Sequence, residues 1–281
     1  MFQEKFYFGL IRKYVTLFGG TFSNIYIDRE DSNGDQIASI KVPIQYAPKE
    51  KMFTRLLGDP NLDRPYATLL PRMSFEITSP GFQYDPSRNL SATNKFVVKD
   101  PDNANRVKYQ YNPVPYNIYF SLFVYVKNVD DGLKIIEQIL PYFRPDWTPS
   151  VNLVPEMNDL RDIPIQLTSG PIMNDVYDGD FKTRRMVYWQ INFTMKGYMF
   201  GPIRKAPIIK YANATFYVAG NDANGNFSTA NSSPAVRIIV SPGQTANGQP
   251  TDIANNSVSP DTIFLDSDFG FTSNVQNLIV E

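Results

Sequence analysis

The chain contains neither cysteine nor histidine. The first absence excludes disulfides, thiolate metal sites and cysteine nucleophiles. The second removes imidazole bases, Ser-His-Asp triads and the commonest zinc ligands. Charge of one sign is also missing. With 27 basic against 28 acidic residues, no net field favours a polyanion such as nucleic acid. Long apolar runs are absent too. The most apolar stretch, residues 118–126, is far short of the roughly 20 residues that span a bilayer. The first residues, Met1-Phe2-Gln3-Glu4-Lys5-Phe6, lack the charged start and unbroken apolar core of a signal peptide. A soluble protein made in a cytoplasm is expected, with no membrane partner, no cofactor and no catalytic residue.

What the chain does have is apolar and aromatic substance. At 281 residues with 42% hydrophobic and 14% aromatic side chains, it can bury a sizeable core in one or two domains. Phe6, Leu10, Tyr14, Leu17 and Phe18 recur at helical spacing and predict a helix over 5–18, stopped at Gly19-Gly20. Ile25 and Ile27 begin a strand, Asp31 to Asp35 turn the chain, and a returning strand places Ile40, Val42, Ile44 and Tyr46 on one face. Pro43 marks that strand as edge or irregular. A second helix starts at Ala47-Pro48, with Met52 and Phe53 in its apolar stripe. Met73, Phe75 and Ile77 alternate, and the proline-broken residues 79–106 predict a long loop excursion. Tyr116 to Val126 is the central strand. Phe120, Leu122, Val124 and Val126 lie on one face and Tyr119, Ser121, Phe123 and Tyr125 on the other, so both faces need cover from a helix layer or a partner chain. Leu133, Ile136, Ile139 and Leu140 form the stripe of a third helix, capped at Asn128 or Asp130 and ended by Pro141. Val187, Trp189, Ile191, Phe193 and Met195 form the clearest alternation, which puts Trp189 in the core.

Beyond Gly201-Pro202 the composition turns to Asn, Ser, Gly, Ala and Pro. The expected organisation is a core over 1–202 and a polar extended arm over 203–281. The arm has Phe264, Phe269 and Phe271 as anchors on a neighbour. The fold class is α+β, a mixed and mainly antiparallel sheet flanked by short helices.

Several constellations invite chemistry. Asp175, Asp178 and Asp180 could hold a hard cation, but they lack the ligand spacing and closing Glu of a calcium loop and read as a polar turn. Asp222 to Asn226 reads as an Asn-Gly turn for the same reason. Asp130-Asp131 at a helix start reads as capping and dipole compensation, not an acid/base pair. Gly19-Gly20 lacks the Lys-Ser/Thr of a phosphate loop. Arg184-Arg185 fits a phosphate, a solvated strand start or an ion pair between subunits. No metal site is assigned. The residues expected to contact a neighbouring subunit or partner are Tyr119, Phe123, Tyr125, Arg184, Arg185, Phe264, Phe269 and Phe271.

A series of short motifs then falls into order. They are Arg12-Lys13-Tyr14-Val15-Thr16-Leu17 with Phe22-Ser23-Asn24-Ile25, Val42-Pro43-Ile44-Gln45-Tyr46, Leu70-Pro71-Arg72, and Gln110 to Pro115. Glu137 to Pro145, Asp178-Gly179-Asp180 with Arg184-Arg185 and Trp189, and Gly197 to Phe200 complete the set. Together they resemble the tail sheath stabiliser and completion proteins of T4-like contractile-tailed bacteriophages, over residues 5–202. The resemblance implies a non-enzymatic virion protein with a tail-terminator-like fold. It implies a homohexameric ring at the tail-neck junction, assembled in the host cytoplasm. Its implied partners are the sheath protein, the tail tube or tail terminator protein and neck proteins. DNA passes through the ring without specific recognition. The rival readings are another tail or baseplate module and a carboxylate-dependent metal-binding enzyme.

Overall fold

The computed structural model describes residues 5–30, 36–57, 70–103, 105–176 and 186–278. The turn expected at 31–35 and the Asp178–Asp180 cluster lie outside them. In chain order the elements are α1 (Leu10–Thr21), β1 (Tyr26–Glu30), β2 (Gln36–Lys41), β3 (Ile44–Tyr46) and α2 (Lys49–Leu57). Next come β4 (Arg72–Tyr84), β5 (Lys95–Lys99), β6 (Arg106–Tyr111), β7 (Val114–Val126) and α3 (Val129–Ile139). Then follow β8 (Asp146–Trp147), β9 (Ser150–Val154), β10 (Asp159–Asp162), β11 (Ile165–Val176), β12 (Met186–Met199) and β13 (Arg204–Pro207). β14 (Ala212–Asn221), β15 (Phe227–Gly243) and β16 (Gly270–Asn277) complete the chain. Strand outweighs helix, and every strand pair except β3–β4 is antiparallel, as expected for an α+β protein. No described helix is long and apolar enough to cross a membrane.

The chain divides into two compact units. One holds the residues up to Thr93 together with Asn112–Gly201; the other holds Asn94–Tyr111 and the residues from Pro202 onward. The first unit is built on a six-stranded sheet in the order β3-β4-β7-β12-β11-β8. β7 lies between β4 and β12, which explains its unbroken apolar pattern: Ile118, Phe120, Leu122 and Val124 are all buried. Phe18 of α1 covers this face, stacked on Phe120 at 4.4 Å with rings 9° from parallel, and also packed on Phe22, Phe75 and Phe193. Tyr14, one turn earlier, donates through its hydroxyl to the Tyr198 carbonyl at 2.6 Å and accepts from the Tyr198 N–H at 2.7 Å. Burial pushes the Tyr14 phenol well above its ordinary pKa.

The opposite face of β7 is covered by α2. Met52 and Phe53 pack with Phe123, Tyr125, Met186 and Tyr188. Phe53 meets the Tyr125 and Tyr188 rings edge-on, at 5.8 and 5.2 Å. The sequence had left this face to a helix layer or a partner chain. The chain's own helix takes it, because a proline-started amphipathic turn follows β3 and folds back across the sheet.

Three local expectations change. α1 continues through Gly19 and Gly20 to Thr21. Gly19 serves close approach rather than termination: a Cβ there would sit 2.9 Å from Phe75 Cζ. The returning strand breaks at Val42-Pro43. β2 pairs with β1, while β3 joins β4 in parallel. The Pro43 carbonyl accepts from the Met73 N–H at 2.8 Å, so the proline switches the chain between sheets. The excursion expected from residue 79 also begins later, because β4 runs on through Pro80 and Gly81 to Tyr84 with a register shift between Ile77 and Phe82.

Trp189 is partly rather than fully buried. It packs beneath α3 where Gly132 leaves room: a Cβ on Gly132 would meet Trp189 Nε1 at 2.3 Å and Val126 Cγ2 at 3.3 Å. Gly132→Ala is expected to destabilise the first unit by about 1–3 kcal/mol by overpacking. Denaturant unfolding followed by Trp fluorescence measures it. The Asp130-Asp131 pair divides its labour. Asp131 takes Arg29 in a bidentate ion pair at 2.6 and 2.8 Å, its side chain 5% exposed, instead of only facing the helix dipole. Asn128 makes no side-chain cap.

Among the described residues, Asp85 has a strongly depressed carboxyl. It accepts from the Ser87 hydroxyl at 2.6 Å and from Arg88 Nε at 2.8 Å, which together hold it down at about 2. Such a group stabilises the fold fully above its unfolded value of about 3.9 and loses that contribution as pH falls through about 2. Stability should therefore decline between about pH 4 and pH 2, and Asp85→Asn should flatten that segment of the pH curve in urea titrations.

The second unit holds two three-stranded sheets, β13-β6-β5 and β14-β15-β16. Residues 203–281, expected as an extended arm, instead supply four strands, and residues 95–99 of the expected excursion form β5, which pairs with β6, itself paired with β13. Alternation does this: Val236, Ile238 and Val240 interleave with Arg237, Ile239 and Ser241 along β15. A periodic strand in polar surroundings needs only cross-strand partners, which β14 and β16 provide.

Candidate interaction surfaces

The residues expected to make contacts separate into four groups. Phe123 and Tyr125, at 2% and 0% exposure, belong to the chain's own core beneath α2 and present nothing to a neighbour. Tyr119 is half-buried and donates its hydroxyl to Gln83 Oε1 at 2.6 Å. Arg184 and Arg185 lie outside the described residues. Phe264, Phe269 and Phe271 come together in the second unit, where they line a cleft of about 240 Å³ with Ile209, Tyr211 and Val240.

The cleft is built by strand register. In an antiparallel sheet, directly paired residues share a face. Phe216 pairs with Val236, Ala214 with Ile238, Ile238 in turn with Val275, Ala212 with Val240, and Pro242 with Phe271. These residues form one apolar face without a charged side chain. The other face carries Thr215, Arg237 and Gln276, and Ser241 beside Thr272 with hydroxyls 3.1 Å apart. The loop between β15 and β16 forms the cleft wall. Lys210 pins it by donating to the carbonyls of Pro260, Asp261 and Ile263 at 2.7, 3.1 and 2.8 Å. Desolvation lowers the Lys210 ammonium's pKa, and its donors are spent on backbone rather than offered to a ligand. Phe271 remains 68% exposed and Ile209 93%.

Sequence reasoning found the three phenylalanines and missed Ile209 and Tyr211. The signal was present in Ala206-Pro207-Ile208-Ile209, an apolar run inside a polar region. It lacks the period that marks a strand or a helix.

The same second unit contains a buried carboxylate. Asp100, 1% exposed in its side chain, lies 2.9 Å from Lys205 Nζ and 3.9 Å from Lys108 Nζ. The Lys205 hydrogen bond holds the carboxyl below its usual range. This arrangement joins β6 to β13 and is structural, with both cations committed to one anion.

In the first unit, the Glu137 to Phe143 stretch borders a concavity of about 470 Å³ with Phe22 and Trp147. Phe22, Phe143 and Phe193 interlock behind it, and Tyr142 stands 69% exposed at its rim. Both concavities are shaped by aromatic packing, and neither assembles a nucleophile with a base.

A family model described as the T4-like virus Myoviridae tail sheath stabiliser matches residues 5–268, and so runs through both units. The tail completion protein gp15 of Enterobacteria phage T4 is 32% identical over 248 residues, covering 83% of this chain and 88% of that protein. A match of that length leaves one assignment: the chain belongs to the tail sheath stabiliser family of T4-like phages and is a structural tail protein, not an enzyme.

Proposed function

We propose that the protein forms a homohexameric ring at the head-proximal end of a contractile phage tail. There it caps and stabilises the sheath and tube and joins the tail to the neck. In this reading the first unit is the tail-terminator-like body of the ring. The second unit carries the contacts to neighbours, with Phe264, Phe269 and Phe271 on its apolar face. The sheath protein, the tube or tail terminator protein and neck proteins are the partners, DNA passes through the ring unread, and the ring assembles in the host cytoplasm. The observation that carries the reading is the extent of the family match, residues 5–268, which takes in most of the second unit, with Ile209, Tyr211 and Phe264 of the cleft, and stops just before Phe269 and Phe271.

Native mass spectrometry of the full chain, with imaging of intact tails, tests it. Six copies in a closed ring at the head-proximal end are expected. A monomer or dimer at working concentration, together with tails that show no such ring, overturns it.

A further inference from the structure

The apolar face of the second unit is unusual for a surface. Phe216, Phe271, Val275, Ile209, Tyr211 and Leu265 are each between 48% and 93% exposed. They leave open on the order of 700 Å² of largely apolar area, at or above the largest patch of a typical monomer. A stable interface takes roughly 800 Å² from each partner. The face holds no charged side chain to receive a polyanion, and the ammonium of Lys210 is bound to three carbonyls. Its occupant must therefore be apolar and uncharged where it touches.

The chain offers a second surface of that kind. Phe6, Tyr7 and Ile11, at the start of α1 in the first unit, are 48%, 86% and 49% exposed. Residues 5–9 precede the helix without regular structure, and Phe6 leans on Phe8 at 5.6 Å. Ile209 at 93% and Tyr7 at 86% are the two most exposed large apolar side chains among the described residues. Charge agrees at the margin: exposed Lys5 precedes the aromatic segment, and exposed Asp261 and Asp268 adjoin the residues that line the cleft.

Two different apolar patches on one chain suit a heterologous contact. Such a contact joins head to tail and closes a ring when the rotation allows. We propose that the aromatic segment Lys5–Gly9 of one copy seats in the cleft of the second unit of the next copy, Tyr7 against Ile209 and Phe271. This rests on the ring reading and specifies the contact that links its subunits.

The absence of cysteine makes the test clean. A full chain carrying Tyr7→Cys and Ile209→Cys is assembled into tails, purified and oxidised. A ladder of covalent multimers that vanishes on reduction is expected, with neither single variant cross-linking. A cross-linked monomer alone places the segment on its own cleft and overturns the proposal. Dimers from Ile209→Cys alone indicate face-to-face pairing of the clefts and also overturn it. No cross-link in a tail that still carries six copies overturns the contact and assigns the cleft to another tail protein, while leaving the ring intact. Native mass on the same sample separates that result from failure of the ring itself. As a second measurement, Ile209→Asp should lower the hexamer fraction at least tenfold with an unchanged thermal midpoint. An unchanged hexamer fraction overturns the contact.

Discussion

Phe18→Ala is expected to cost the first unit about 3–5 kcal/mol, the range for removing a fully buried aromatic ring. Phe18 is 0% exposed. It touches Phe22, Phe75, Phe120 and Phe193, so four rings lose their common neighbour at once. Collapse cannot refill the space, because these rings stand on α1, its C-cap and three hydrogen-bonded strands. In thermal unfolding, about 2–4 °C is lost for each kcal/mol in a domain of this size. The midpoint should therefore fall by about 6–20 °C. Thr16→Ala, on the exposed side of the same helix, should stay within about 0.5 kcal/mol. A loss below about 1 kcal/mol for Phe18→Ala would mean that α1 is not the element holding this face of the sheet.

Gly243→Ala should injure the second unit and leave the first untouched. Gly243 ends β15 and pairs with Gly270 at the start of β16. The loop backbone at Thr251 lies directly on this glycine pair. A Cβ at Gly243 would sit 2.3 Å from the Thr251 carbonyl oxygen and 2.5 Å from Thr272 Cγ2; one at Gly270 would sit 2.7 Å from the same oxygen. Backbone atoms cannot swing aside as a flexible side chain can. The loop must lift, which strains the hydrogen bond from the Thr251 N–H to the Gly243 carbonyl, now 3.1 Å. A cost of about 1–3 kcal/mol follows from overpacking. Hydrogen exchange should accelerate at Thr251 and along β16 while the amides of β7 and β12 keep their protection. Because the lifted loop carries the cleft wall from Ile263 to Phe271, tail attachment should weaken as well. Gly20→Ala, where a Cβ meets nothing within 4 Å, is the control and should be neutral.

The amino-acid sequence by itself determined the class of the protein and most of its first unit. Without cysteine or histidine, and with balanced charge, there was little to build catalysis from. The ordered motifs from Arg12 to Phe200 pointed to the phage tail. β7 and β12 were legible because period-two alternation is a local property; α1 and α3 were legible as helices, but Phe6 precedes α1 and Leu133 of the expected α3 stripe is exposed while Ile135 is buried.

Only the tertiary structure decided what each pattern packs against. Phe123 and Tyr125 have the same alternation whether a helix or a second chain covers them; α2, folding back from β3, settled it. Gly19 reads as a helix stop, but its reason lies in Phe75, and the reason for Gly132 lies in Trp189, each remote in sequence and adjacent in space. The second unit was the hardest to read. Its strands are polar on one face and pair with segments set apart in the chain, β6 with β13 and β15 with β16. A composition that looks unable to fold alone becomes a sheet once cross-strand partners supply the hydrogen bonds, β14 and β16 on either side of β15 and, far away in the chain, β6 beside β13, as between Val107 and Ala206. That information resides in the register, which no local window of the sequence contains.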